Sequence, residues 1–235
     1  LAIRWYEMGD FNIQLDFSQA PGYENPQVIY KIFDQVRRDR RTTSWQLIPS
    51  YTTLTISYPW NQSLQDVLEI LQQYLEISGL SDRGVKRYHI PVCYDEEFGP
   101  DLAYVANFHH LSIEEVIELH THPDYRIEAV GFSPGFPYLS GLSPQLITPR
   151  RQTPRPKVPA GSVAIGGRQT GIYPVTTPGG WHLIGRTPLT LFRPHNNPPI
   201  VYHPGDLLHF FPISRAEYDQ FAANPEQSMS VEWVT

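Results

Sequence analysis

Three arginines carry the clearest chemical pattern in this chain. Thr148-Pro-Arg150, Thr153-Pro-Arg155 and Gly185-Arg186-Thr-Pro188 each place a guanidinium beside a proline-stiffened turn. A guanidinium is planar, always charged and forked, so it matches a carboxylate or a phosphate. Proline beside it lowers the entropy lost when the loop is ordered. All three lie between Ala129 and Gly205, a stretch of 77 residues without Asp or Glu. That stretch carries +7, the remaining 158 residues carry −13, and the whole chain is −6. It also holds 11 of the 16 glycines and 14 of the 23 prolines, the composition of a turn-rich module. Such a cationic module within an acidic protein points to an anionic ligand held partly by backbone groups. Acids gather just upstream, as Glu96, Glu97 and Asp101. A helix N-terminus favours acids through its dipole; the sharper reading makes Glu97 or Asp101 an acid–base partner facing the arginines.

Other chemistries fail on their own requirements. Gly131-Phe-Ser133-Pro-Gly135 has the spacing of a nucleophile elbow, but Pro134 follows the serine and has no N–H for an oxyanion. Only Lys31, Lys86 and Lys157 are present, and none follows the glycine spacing of a phosphate-binding loop. Gly166-Gly167 and Gly179-Gly180 offer loop amides to an anion, or simply turn hairpins. His109-His110 and His120-Thr-His122 lack the three or four convergent ligands a zinc site needs, so no metal site is expected. Cys93 is the single cysteine, which excludes an internal disulfide and suits a reducing cytosol. It lies in the apolar run Ile90–Tyr94, where a thiol behaves as a small hydrophobe.

The elements that must position these residues can be read from periodicity. Residues 1–85 form a small α+β sandwich: a strand through Ile13, Leu15 and Phe17, then a helix from Asn25-Pro26. Strands at Trp45–Ile48 and Leu54–Tyr58 flank a turn at Pro49-Ser50, and a second helix starts at Asn61 or Ser63. Ser78–Gly84 reads as a linker. Residues 86–213 begin with a strand at Tyr88–Cys93 and two helices, the second opened by the capping box Ser112–Glu115. Short β-runs follow at 127–132, 162–165, 171–175, 182–185, 189–192 and 207–211, the spacing of a barrel or sandwich. Residues 214–235 form a tail with a helix and a last strand at Ser230–Val234. No apolar run approaches the length of a membrane span, and the net negative charge disfavours nucleic acid.

Several linked motifs resemble a known family. They are Gly131–Leu139, Thr153-Pro-Arg155, Val158–Val163, Gln169–Pro174 and Pro178–Pro188, extended upstream by Pro91–Tyr94, Glu97–Asp101 and Glu115–His120. Together they resemble the 5-oxoprolinase B-subunit family, also described as allophanate hydrolase subunit 1 or the sporulation kinase-inhibitor type. The resemblance implies an α+β N-terminal domain followed by a mainly-β, cyclophilin-like barrel. It implies a cytoplasmic protein, inactive alone, that opens 5-oxo-L-proline to L-glutamate with ATP and Mg²⁺ as part of a complex. Its partners would be the C subunit, a related cyclophilin-like chain that completes an anion site, and the A subunit of the same enzyme. The implied catalytic residues are Glu97, Asp101 and Arg186. Arg150, Arg155, Gly161, Gln169, Thr170, Arg186, Thr187 and Pro137 would bind the small anionic substrate. Two departures from the family pattern are Asp95-Glu96, where a Gly-Gly pair is common, and His182, where a basic or amide residue is common. Two rivals remain: an inhibitor of a sensor histidine kinase, and a urea-carboxylase-like carboxyltransferase. The second needs a biotin-bearing partner, since this chain lacks the Met-Lys-Met attachment motif.

Overall fold

Residues 3–19, 27–75, 84–223 and 229–234 are described by the computed structural model. The Asn25-Pro26 helix start and the linker up to Arg83 lie outside them. Contacts divide the chain into two units, Leu1–Gly84 and Val85–Thr235.

The first unit runs β1 (Arg4–Glu7), β2 (Asn12–Asp16), α1 (Gln27–Arg38), β3 (Gln46–Ser50), β4 (Thr53–Ser57) and α2 (Leu64–Gln72). Its antiparallel sheet has the order β1-β2-β4-β3. Ile13, Leu15, Leu54 and Ile56 alternate with polar residues and are buried under Ile29, Ile32, Val36, Val67 and Leu71 of the helices. Ser63 and Asp66 form the capping box that starts α2. The turn expected at Pro49-Ser50 falls later, because β3 continues through Ser50. An edge strand tolerates a proline that a central one would not.

The second unit begins with β5 (Val85–Val92), α3 (Leu102–His109), α4 (Ile113–Thr121), β6 (Asp124–Val130) and β7 (Pro137–Ser140). It continues with β8 (Arg155–Val158), β9 (Ser162–Gly166), β10 (Gln169–Ile172), β11 (Thr177–Gly179) and β12 (His182–Arg186). β13 (Leu207–Pro212), α5 (Arg215–Ala222) and β14 (Ser230–Val234) complete it. Eight strands make one sheet in the order β12-β9-β10-β7-β6-β13-β5-β14, and β8 pairs with β11 separately. β14 hydrogen-bonds along β5, so the C-terminal segment is part of the sheet rather than a separate tail.

A mixed fold with a large β-sheet is therefore present, but no continuous ladder closes a barrel among the described residues. β12 meets the far side of the sheet at one bridge, where Cys93 and Arg186 exchange two backbone hydrogen bonds of 2.9 Å. A tight turn, with the Phe98 and Gly99 amides both donating to the Asp95 carbonyl, carries the chain away after it. A register shift between Leu183 and Gly185 bends β12 at the same place. The run at 189–192 is not a strand. Leu189 and Leu191 are buried as their alternation demands, but Pro188 and Pro194 bracket a segment too short to pair.

A neutral polar chain is sealed inside this unit. The Tyr94 hydroxyl donates to His120 Nδ1 at 2.8 Å, and His120 Nε2–H donates to Thr170 Oγ1 at 2.9 Å. Thr170 in turn donates to the Ala164 carbonyl at 3.0 Å, which fixes the tautomer. Burial holds the His120 imidazole uncharged, pulled down to about 3.

Candidate functional site

The β8–β11 pair, the start of β12 and the loop before β7 converge on an open pocket of about 310 Å³. Phe132, Phe136, Tyr138, Tyr173 and Trp181 form its walls, and Arg150 and Arg151 supply its charge. Small residues make room for the largest ring. A methyl group on Gly166 would overlap the Trp181 indole, and one on Gly171 would crowd both Phe136 and Trp181. The strands beneath the pocket therefore carry glycine where β-propensity alone would favour a larger residue. Phe132 sits at the rim, 66% exposed, with φ +67. That conformation is costly for an aromatic residue and recurs at ligand sites.

The arginine loop is pinned by backbone contacts. His182 Nε2 donates to the Pro149 carbonyl at 2.9 Å, and the Arg151 amide donates to the Gly180 carbonyl at 2.8 Å. Arg150 then lies over the Trp181 ring at 5.8 Å and makes no ion pair among the described residues. A cation over an indole face is favourable and leaves the edge of the guanidinium available. Arg151 spends Nη1 on Asp101 at 3.0 Å, while its Nε–H is buried without a partner.

Asp101 lies behind this wall and is nearly fully buried. It accepts both Nη atoms of Arg155 at 2.8 Å, Arg151 Nη1, and the Leu183 amide at 2.7 Å. Burial alone would raise its pKa. Hydrogen bonds from Arg155 and Leu183 and the charges of both arginines outweigh that, and the carboxyl is held below its ordinary value. An aspartate so saturated is a mount for arginines, with no lone pair left for proton transfer. Arg155, expected to bind substrate, is likewise committed to Asp101.

The other expected site residues lie elsewhere. Glu97 is largely exposed and pairs with Arg215 Nη1 at 2.5 Å. Arg186 stacks on Phe98 at 5.3 Å, Arg215 stacks on the same ring at 4.5 Å, and Tyr218 packs beside it. Arg186 and Glu97 thus share a corner around Phe98 and do not line the aromatic pocket. Thr170 belongs to the buried chain of His120, and Pro137 is buried in β7. Thr187 is buried, with its amide on the Gly161 carbonyl at 2.9 Å and its hydroxyl accepting from Leu189. Gly161 has φ +81 and no room for a methyl group against the Thr187 carbonyl, so its role there is close packing. Gln169 starts β10, half-buried and outside the pocket lining.

Sequence reasoning missed Arg151 and the five rings. A usable signal was present: aromatic residues at 132, 136 and 138 surround the strongest turn motif, and Trp181 directly follows a Gly-Gly pair. Among the described residues no three His, Cys, Asp or Glu side chains converge to hold a metal ion. Burial pushes the Cys93 thiol up, away from the reactive thiolate.

The chain is similar in sequence and fold to known proteins. Residues 3–202 match the carboxyltransferase domain, subdomain C and D. The B subunit of 5-oxoprolinase from Bacillus subtilis is 39% identical over 92% of this chain and 95% of its own length. The crystal structure of the protein TTHA0988 aligns at TM-score 0.73 and 34% identity over 90% of this chain, which spans 40% of that longer protein. The urea carboxylase of Kluyveromyces lactis aligns at TM-score 0.72 over 99% of this chain and 24% of its own. At 18% identity the likeness to urea carboxylase is one of fold. The chain belongs to the 5-oxoprolinase B-subunit family, within the carboxyltransferase subdomain C and D group.

Proposed function

We propose that this chain is the non-autonomous B subunit of an ATP-dependent 5-oxoprolinase, a cytosolic complex that opens 5-oxo-L-proline to L-glutamate. Its cyclophilin-like sheet, with β12 and the end of β5 linked by the isolated Cys93–Arg186 bridge, would present the pocket to the C subunit, while the A subunit would complete the assembly. One observation carries the reading. The pocket is lined by two arginines and five aromatic rings, and by no carboxylate, imidazole or thiol. Such a lining can hold a small anion but has nothing to activate water or accept a proton. In this reading Arg150 and Arg151 bind the substrate carboxylate, and Asp101 and Arg155 hold Arg151 in place. Arg186 and Glu97, around Phe98, lie outside the pocket.

Mg²⁺ and ATP fit this lining poorly. The walls are mostly apolar, Arg155 and one Nη of Arg151 are spent on Asp101, and the described residues offer no metal cluster. Nucleotide binding is therefore assigned to the partner proteins. The test is reconstitution of this chain with the C and A subunits. ATP-dependent glutamate formation from 5-oxo-L-proline is expected from the complex and not from the chain alone. Robust turnover by the chain alone would contradict its dependence on partners, and an inert complex would contradict the activity.

A further inference from the structure

The two ends of the eight-stranded sheet are guarded differently. At one end β12 carries a register shift, and its outer side meets Cys93 through the Arg186 bridge. At the other end β14 pairs only with β5, over five consecutive residues without a bulge. An edge strand leaves a row of backbone groups unpaired, and prolines, bulges or charges usually protect it. Ser230-Val-Glu-Trp-Val234 has no proline, and its one charge, Glu232, is spent on Arg87 at 2.6 Å. Strand alternation puts Val231 and Trp233 on the opposite face, where they are 50% and 64% exposed.

On that face a cavity of about 420 Å³ opens beside the edge. Tyr88 of β5, Met229, Val231, and Leu191 and Pro199 of the segment 189–203 line it, with no acid among the lining residues. Lys86 also lines it; its Nζ lies over the Trp233 ring at 4.9 Å and makes no ion pair among the described residues. Arg193 adds a second positive charge to the lining. Backbone groups, an apolar hole and a counter-charge for an acid therefore lie side by side. A small apolar acid would use the last two and leave the strand edge bare. A second copy adding its own β14 antiparallel would repeat Val231 and Trp233 on this face and bring no acid to Lys86. An extended peptide with an acid uses all three.

We propose that the β14 edge and the cavity beside it dock an extended segment of a partner protein as a ninth strand. That segment carries an apolar and an acidic side chain two positions apart, so that both face the cavity side. The apolar side chain fills the cavity beside Val231, and the acid pairs with Lys86. The lining shares no residue with the aromatic pocket, so the surface stands apart from the 5-oxoprolinase reading.

The test titrates the full chain with the blocked peptide Thr-Thr-Leu-Thr-Glu-Thr-Thr and with its reverse, which covers both strand directions. Hydrogen exchange and NMR follow the complex. One of the two should bind, shift the Trp233 indole resonance and slow exchange at the outward amides of β14. Lys86→Glu should weaken that peptide by about tenfold or more, and a peptide with Lys in place of Glu should restore binding to this variant. The restored binding also shows that the variant folds. N-methylation of the peptide amides that face β14 should abolish binding. Failure of both peptides to bind at millimolar concentration would overturn the proposal, as would binding indifferent to Lys86→Glu. Equal binding of the N-methylated peptide would show a cavity for side chains without strand addition, and would overturn it too. So would a dimer of the chain alone in sedimentation whose β14 amides are already protected, since a second copy would then occupy the edge.

Discussion

Two places in the second unit put an arginine over an aromatic ring, and they serve different ends. At the pocket, Arg150 covers Trp181, has no acid partner among the described residues, and opens onto about 310 Å³ of space. At the Phe98 corner, Arg186 and Arg215 share one ring, and Arg215 is tied to Glu97 and Asp219. The backbone of Arg186 meanwhile supplies the bridge to Cys93. The same residue type in the same acid-free stretch therefore does two jobs. Positive charge marks the stretch, but open space beside the guanidinium marks the site, since Arg186 Nε at the corner is also buried without a partner.

Removing the pocket's hidden anion should produce the largest effect. Asp101→Ala leaves two guanidiniums facing each other and the Leu183 amide without its carboxylate, at a cost of about 3 kcal/mol in unfolding free energy. Ligand binding should fall with it, since Arg151 loses its mount. Chemical denaturation of the variant checks the first point, and a change below about 1 kcal/mol would show that the network is weaker than its geometry.

Gly166→Ala should cost about 1–3 kcal/mol by overpacking against Trp181, and should weaken ligand binding by displacing a ring that lines the pocket. Unchanged binding in that variant would separate Trp181 from the site.

Acid distinguishes the pocket from the core behind it. The His120 pKa lies near 3 in the folded chain and near 6.5 when unfolded, so the unfolded state binds the extra proton between these values. His120 thus lowers stability by about 1.4 kcal/mol per pH unit as pH falls below 6.5, levelling near 3. Asp101 acts lower: its pKa is depressed in the folded chain, so its contribution persists above the ordinary carboxylate value and is lost as pH falls through that range. Denaturation of His120→Gln across pH 4–6.5 should show a slope shallower by one proton. The smallest effect belongs to the corner: Glu97→Gln breaks a solvent-exposed ion pair and should leave stability and binding as in the unaltered chain.

Much of the fold was legible because it rests on periodicity. The alternation of Ile13 and Leu15, the apolar stripe of α1 and the Ser112–Glu115 capping box all appear where their local rules put them. Strands such as β7, β8 and β11 were not legible, because each is only three or four residues long and rich in proline or glycine. Their existence depends on partners far along the chain. The site was legible in its charge and not in its assignments. Asp101 and Arg155 lie 54 positions apart, and no local pattern says that one saturates the other. Thr170 was expected to bind the substrate, yet an imidazole 50 positions upstream holds it in the core.

The most direct measurement compares Arg150→Ala with Arg186→Ala in the reconstituted complex, reading KM and kcat for 5-oxo-L-proline. Arg150→Ala is expected to raise KM by about tenfold or more, the loss of one charge-assisted contact, while Arg186→Ala stays close to the unaltered complex. An unchanged KM in Arg150→Ala, with activity lost instead in Arg186→Ala, would contradict this assignment and move the site to the Phe98 corner.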